Sequence, residues 1–298
     1  MCQFTEFFMM ELKLSMKGIF KMKPLEGKTA LVTGASRGAG RAIAIELGRA
    51  GAFVYVTARS TRSDSTNNRP GTIDETIAEI KEKGGQGAPI RCDHTVDSQT
   101  KAVMDQIQRE QGKLDILINN VWGAHDLGVE QKPFRELSLK NWDTMFTAGV
   151  RAQLAVNHFA LPLLEKNANA LIIHTTFWDE GKYTGQFYYD LAKNALVRMA
   201  YGLSIELAGS GITVLALSPG FMRTELVLKH FETDEEHWMN IPELRQSESP
   251  YYVGRAAAAL AGDPKIDKKN GRALRTGDLA EEYGFTDIDG RRIPPFSL

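Results

Sequence analysis

Two side chains with proton chemistry lie one helical turn apart in Tyr189-Asp190-Leu191-Ala192-Lys193. At i and i+4 on a helix they share a face. An unperturbed phenol titrates near pH 10, too high for acid–base work at neutral pH, and lowering it by about 3 units takes roughly 4 kcal/mol. An ammonium about 4–5 Å away, at an effective dielectric near 20, supplies about that much. The pair is therefore a candidate proton-transfer device. The same spacing is common on solvated helix faces, so it needs company. Tyr183 and Tyr188 do not compete, because neither has a lysine four residues later.

A second candidate is the glycine turn Thr33-Gly34-Ala35-Ser36-Arg37-Gly38-Ala39-Gly40. Glycines permit a tight turn and let backbone N–H groups approach a pyrophosphate, while a helix N-terminus adds partial positive charge. The spacing is G-x-x-x-G-x-G, not the commoner G-x-G-x-x-G. About 20 residues beyond such a turn, an acid would bind the ribose 2′-hydroxyl of NAD and an arginine would accommodate the 2′-phosphate of NADP. The chain reads Thr57-Ala58-Arg59-Ser60 there, with no acid until Asp64, and Arg37 lies inside the turn itself. Two guanidiniums near one dianion favour NADP(H). The blander reading leaves Arg59, Arg62 and Arg69 as a solvated loop.

These groups need a scaffold. Nearly continuous apolar runs at Thr29–Thr33, Phe53–Thr57, Ala88–Cys92, Asp115–Asn119, Leu171–Thr175 and Thr213–Leu217, with a seventh candidate at Arg272–Thr276, suit strands covered on both faces. Helical stretches at Gly38–Ala50, Thr72–Lys83, Gln99–Gln111, Asn141–Leu164 and Phe187–Leu207 alternate with them. Such alternation predicts an α/β fold, a single doubly wound parallel β-sheet with helices on both faces. No linker, repeat or low-complexity tract divides the 298 residues, so residues 24–298 read as one domain. Residues 1–23 read as an extension ahead of it. Glu6 and Glu11 interrupt what would be the apolar part of a signal peptide.

Composition excludes other classes. With 36 Lys+Arg against 37 Asp+Glu, the net charge is −1, which argues against a nucleic-acid partner. No apolar run reaches the length of about 18 residues that a membrane span needs. The only two cysteines, Cys2 and Cys92, point to no structural disulfide and a cytoplasmic location. None of the six histidines pair at the spacing of a metal helix, so no metal site is expected. His174, inside a strand, reads as a satisfied core histidine, whereas His94 beside Asp93 is either a loop residue or a contact to an adenine.

Taken together, the glycine turn at 33–40, Asn119-Asn120 after the fourth strand, a hydroxyl residue at 176 placed 13 before Tyr189, the Tyr189/Lys193 pair and Ser218-Pro219-Gly220 after the sixth strand resemble the short-chain dehydrogenase/reductase family. The resemblance runs from about Pro24 onward. It implies a Rossmann-like sheet and NAD(P)(H)-dependent hydride transfer between a carbonyl and an alcohol. It further implies that Tyr189 donates or accepts the proton, that Lys193 lowers the phenol's pKa and holds the nicotinamide ribose, and that Thr176 hydrogen-bonds the substrate oxygen. Gly34, Ser36, Arg37, Gly38, Gly40, Arg59 and Asn120 would line the cofactor, with Asp93 at the adenine and Pro219, Gly220 and Thr224 at the carboxamide. A homodimer or homotetramer through the two long helices is implied as well.

Three positions depart from the family pattern. Asn-Asn-Ala-Gly reads Asn119-Asn120-Val121-Trp122-Gly123, which puts bulk beside the cofactor. The usual serine is Thr176, whose β-branching stiffens it. The asparagine that normally helps hold a water chain to the lysine is Gly149. A glycine inside a helix costs up to about 1 kcal/mol relative to alanine, which suggests close packing or a kink. Trp122 and Trp178 follow strands on the ligand-binding edge and could line an apolar pocket. Residues 225–250, with His230, Phe231, His237 and Trp238, fall where a substrate lid would be, and Asp234-Glu235-Glu236 reads as its solvated face. The tail Glu282–Asp287 carries no assignable chemistry. The expected activity is NADP(H)-dependent carbonyl–alcohol interconversion on a small molecule. The alternative is an NADP(H)-binding sensor or scaffold that has lost turnover, for which Gly149 and Val121-Trp122 would be the reason.

Overall fold

The computed structural model describes residues 23–66, 69–124, 127 and 132–298. The expected extension, Lys23 apart, lies outside the described residues, as does His125. Seven parallel strands form one sheet in the order β3-β2-β1-β4-β5-β6-β7. They are β1 (Thr29–Thr33), β2 (Phe53–Ala58), β3 (Gln86–Arg91), β4 (Ile116–Asn119), β5 (Ala170–Thr175), β6 (Ile212–Ser218) and β7 (Ala273–Arg275). All seven expected strands are present, β1 at its expected bounds and the others with ends within two residues of theirs. Strand β3 is the exception to the apolar pattern. It is an edge strand of sequence QGAPIR, largely accessible, and it tolerates Pro89 because an edge has no second neighbour to accept from it.

The helices are α1 (Gly38–Arg49), α2 (Ile73–Glu82), α3 (Asp97–Glu110), α4 (Leu139–Met145), α5 (Ala152–Leu164), α6 (Phe187–Glu206), α7 (Glu225–His230), α8 (Pro250–Gly262) and α9 (Thr276–Tyr283). Alternation along β1 explains the two layers. Ala30 and Val32 face a core with Ile43 and Leu47 of α1, Ile77 of α2 and Val253 of α8. Leu31 faces the other, with Val103 and Ile107 of α3, Val156 of α5 and Ala200 of α6. Full burial of each such side chain contributes about 1.5–3 kcal/mol.

The helix expected over Asn141–Leu164 is present, α4 continuing into α5 through a π-helical turn, Phe146–Arg151, that contains Gly149. Helix α2 begins with a capping box, in which Thr72 accepts from Glu75 N and the Glu75 carboxylate accepts from Thr72 N. No helix of the described residues is long and apolar enough to cross a membrane.

Candidate active site

The glycine turn leaves the carboxyl end of β1 and enters α1. Gly34 and Gly38 take positive φ, 66° and 56°, which only glycine adopts freely. Gly40 is required for a different reason, since a Cβ there would fall 2.4 Å from Asn120 Nδ2 and 2.5 Å from Gly34 O. Asn120 braces the turn, its Nδ2 donating to Thr33 O (3.2 Å) and Gly34 O (3.1 Å). Ser36 is buried within it. Beyond β2, an Arg37 Nη donates to Ser60 Oγ (2.9 Å) and Gly71 O (3.1 Å). Arg59 extends past the strand, half-exposed, 3.9 Å from Asp93. Burial opposes ionisation of Asp93, but the Thr95 hydroxyl, the Thr95 N–H and Arg59 together hold its carboxyl below the usual range.

An unforeseen acid completes this cradle. The Glu225 carboxylate accepts from Gly38 N at 3.1 and 3.2 Å. It occupies the anion-binding position at the start of α1, so an anion fits where a diphosphate oxygen would be held. The donor set and the bare glycine backbone therefore fit a dinucleotide. Thr224 caps α7 by accepting from Val227 N, with its methyl close to Gly38. Pro219 and Gly220 lie beside the buried Glu248, whose Oε2 would be 3.1 Å from a Cβ on Gly220. Nothing in the local spacing of Glu225 or Ser60 flags them; the fold alone carries them to the turn.

Tyr189 and Lys193 share one face of α6, as their spacing predicts, yet the ammonium does not point at the phenol. Lys193 Nζ lies 4.2 Å from the centre of the Trp122 ring and 5.6 Å from that of Tyr189. Trp122 meets Tyr189 edge-on at 5.7 Å and 84°. Burial pushes the Tyr189 phenol up to about 12 and pulls Lys193 down to about 8. The depression of the phenol by Lys193 is thus not realised here, because the cation is held over the indole. Thr176, buried at the end of β5, donates through Oγ1 to the Lys193 carbonyl at 2.6 Å. Gly149 sits against Trp122, and a Cβ there would fall 2.3 Å from Cζ3 and 2.5 Å from Cε3 of the indole. The two departures at 122 and 149 are one packing unit.

Behind the cleft runs a buried polar chain. Gln153 Nε2 donates to Val121 O (3.3 Å), Gln153 Oε1 meets His174 Nδ1 (2.8 Å), His174 Nε2 meets Asn157 Nδ2 (3.2 Å), and Asn119 Nδ2 donates to Asn157 Oδ1 (2.7 Å). Burial pulls His174 down to about 3, so it stays neutral and structural. His94 lies in the loop between β3 and α3, buried there, bonded to Thr57 and Thr100 and pulled down to about 4. Phe177, 6.4 Å from Tyr189 and 5.8 Å from Phe296, supplies the apolar wall on the β5 side. Trp178 lines a small groove with Phe177, Pro219, Gly220 and Phe296. A cavity of about 550 Å³ lies at the opposite, amino edge of the sheet and contains none of these groups.

Residues 225–250 form their own small core of Leu228, Trp238 and Leu244. Trp238 stacks under the guanidiniums of Arg223 (4.1 Å) and Arg291 (4.8 Å). Glu235 is not merely solvated, since it pairs with the buried Arg223 at 3.1 Å. Asp287, in the tail that carried no assignment, is fully buried. It pairs with Arg223 at 3.4 Å and accepts from Ser249 N at 2.7 Å.

The family profile described as short chain dehydrogenase matches residues 28–235. The chain belongs to the short-chain dehydrogenase/reductase family. It is 32% identical over 281 residues to dehydrogenase/reductase SDR family member 1 of Mus musculus, covering 92% of this chain and 87% of that one. It is 29% identical over 249 residues to glucose 1-dehydrogenase 2 of Bacillus subtilis, covering 81% and 90%. Among solved structures, a short chain dehydrogenase of Mycobacterium thermoresistibile superposes with a TM-score of 0.77 at 28% identity, covering 92% and 94%. A 7α-hydroxysteroid dehydrogenase complexed with NADH and 7-oxo glycochenodeoxycholic acid superposes with a TM-score of 0.69 at 26% identity, covering 84% and 93%. As a member of this dehydrogenase/reductase family the chain is an oxidoreductase, and the family uses nicotinamide cofactors.

Proposed function

We propose that the chain interconverts a carbonyl and an alcohol on a small molecule with NADP(H). The observation that carries the reading is the convergence of Tyr189, Lys193 and Thr176 on one cleft beside the glycine turn, all at the carboxyl edge of the sheet. Gly34, Ser36, Gly38, Gly40 and Asn120 would hold the diphosphate, Arg37 and Arg59 the 2′-phosphate, Asp93 the adenine, and Pro219, Gly220 and Thr224 the carboxamide. Arg37 bound to Ser60 Oγ supports the NADP(H) preference, because both groups line the exit of β2. Bound nicotinamide supplies or takes the hydride at its C4. Tyr189 gives its proton to the substrate oxygen in reduction and takes it back in oxidation. Lys193 acts through its charge and steadies the ribose. Thr176 swings its hydroxyl from the Lys193 carbonyl to the substrate oxygen. Trp122 and Phe177 favour an apolar or aromatic carbonyl compound.

In the same reading residues 24–298 act as one domain in the cytoplasm, with 225–250 as the substrate lid. Leu154 of α5 and Tyr201 and Ile205 of α6 are exposed apolar residues suited to a homodimer or homotetramer. A second reading, an NADP(H)-binding sensor or scaffold without turnover, draws support from the Lys193 ammonium held over Trp122 and the phenol pushed up to about 12.

Titration with NADPH and NADH, then NADPH consumption on a panel of aldehydes and ketones, separates the two. An active enzyme loses roughly 10²–10⁴-fold in kcat in Tyr189→Phe with NADPH affinity unchanged; unaltered turnover sinks the assignment. Binding without turnover across the panel favours the sensor. Arg59→Asp weakens NADPH far more than NADH, and equal losses undo the 2′-phosphate reading.

A further inference from the structure

Gly149 and Trp122 are described above as one packing unit, and the unit has a position: it lies directly on the ammonium of Lys193. A side chain at 149 is incompatible with the indole, whose Cζ3 and Cε3 occupy the space that a Cβ would enter. The π-helical turn at Phe146–Arg151 brings that bare backbone against the ring. Lys193 Nζ then sits 4.2 Å above the ring centre, well inside the range of a cation–π contact. On the neighbouring edge, Tyr189 abuts the same indole at 84°. One aromatic side chain thus touches both members of the proton-transfer pair.

We propose that Trp122 is the positioning residue for Lys193: its indole fills the slot opened by Gly149 and holds the ammonium by a cation–π contact. The inference rests on the reading of Tyr189 and Lys193 as the reacting pair, and it names how a partly buried ammonium is kept charged. The groups that face Lys193 are few. Trp122 comes from the exit of β4, Tyr189 from one turn earlier on α6, and Thr176 reaches it through the backbone carbonyl from the exit of β5. Burial lowers its pKa, and among the described residues no charged group contributes. An indole face is therefore the compensating partner, and cation–π attraction is stronger where the cation is desolvated.

The test replaces tryptophan at 122 site-specifically with mono-, di- and trifluorinated analogues, which keep the shape of the ring and progressively weaken its negative face. The Lys193 pKa is read by lysine-selective NMR titration of the cofactor-free protein, so no turnover is needed. The expected result is a stepwise fall across the series totalling about one pH unit, the size of a desolvated cation–π contact. A flat series overturns the proposal. The steric half is read separately. Gly149→Asn alone lowers thermal stability, and the loss is largely relieved in the double variant Gly149→Asn/Trp122→Ala; equal losses in both backgrounds overturn it. If the fluorinated series behaves as expected while no carbonyl compound is turned over even by the unmodified protein, the positioning role stands and the proposed reaction fails.

Discussion

A single buried carboxyl gives the residue scale its clearest pH signature. Glu248 lies next to Gly220, and burial pushes its pKa up to about 8 from an ordinary 4.5. Its folded pKa is above its unfolded one, so its stabilising contribution is fully present below about pH 4.5 and is lost as pH rises through about 8, at up to about 1.4 kcal/mol per pH unit. Glu248→Gln flattens that part of the dependence: melts from pH 5 to 8.5 show a smaller fall in the variant, and parallel curves contradict the assignment. At this scale the sequence is legible where chemistry depends on spacing. Tyr189, Lys193 and Thr176 do converge, since four residues on a helix and a strand exit are local constraints. Where a side chain points is not local. The turn of Lys193 toward Trp122 depends on Gly149, which is distant in sequence, and the carboxylate of Glu225 reaches Gly38 across 187 residues. Asp287 gave no signal because its partners, Arg223 and Ser249, are defined only by the tertiary fold.

Elements decide how the cleft opens. Helix α7 begins at Thr224 and projects Glu225 onto the N-terminus of α1, so a diphosphate entering there must displace a carboxylate. Removing that charge helps any dinucleotide. Glu225→Gln strengthens NADPH and NADH binding alike, by about fivefold for about 1 kcal/mol at a helix N-terminus. Fluorescence titration checks it, and weaker binding or a change confined to NADPH refutes it. The strands were legible because burial on both faces leaves continuous apolar runs, and β1 matches its expected bounds. The helix expected over Asn141–Leu164 was legible as an element, but the π turn within it was not: the apolar pattern continues through the turn, and the indole from the β4 exit that packs on Gly149 is invisible in the helix's own residues.

At the scale of the molecule, Arg223 is the pin that joins the β6 exit, the 225–250 segment and the tail. It is almost fully buried and meets Glu235, Asp287 and Asp289. Breaking a buried pair leaves an uncompensated charge and costs about 3–5 kcal/mol. Asp287→Ala is expected to lose about that much in urea unfolding, whereas a loss below about 1 kcal/mol would mean that Glu235 and Asp289 suffice. The doubly wound parallel sheet was readable from strand–helix alternation, and the strand order found in the structure has a consequence for how the chain is made. β1 lies in the middle of the sheet, between β2 and β4. Its second neighbour arrives with Asp115, 86 residues after Thr29. At about 5–20 residues per second on a ribosome, one hydrogen-bonding edge of β1 waits roughly 4 to 17 s for its partner strand. During that interval the nascent chain is a client for a chaperone, and slowing translation within residues 95–115 would lengthen its exposure and lower the soluble yield.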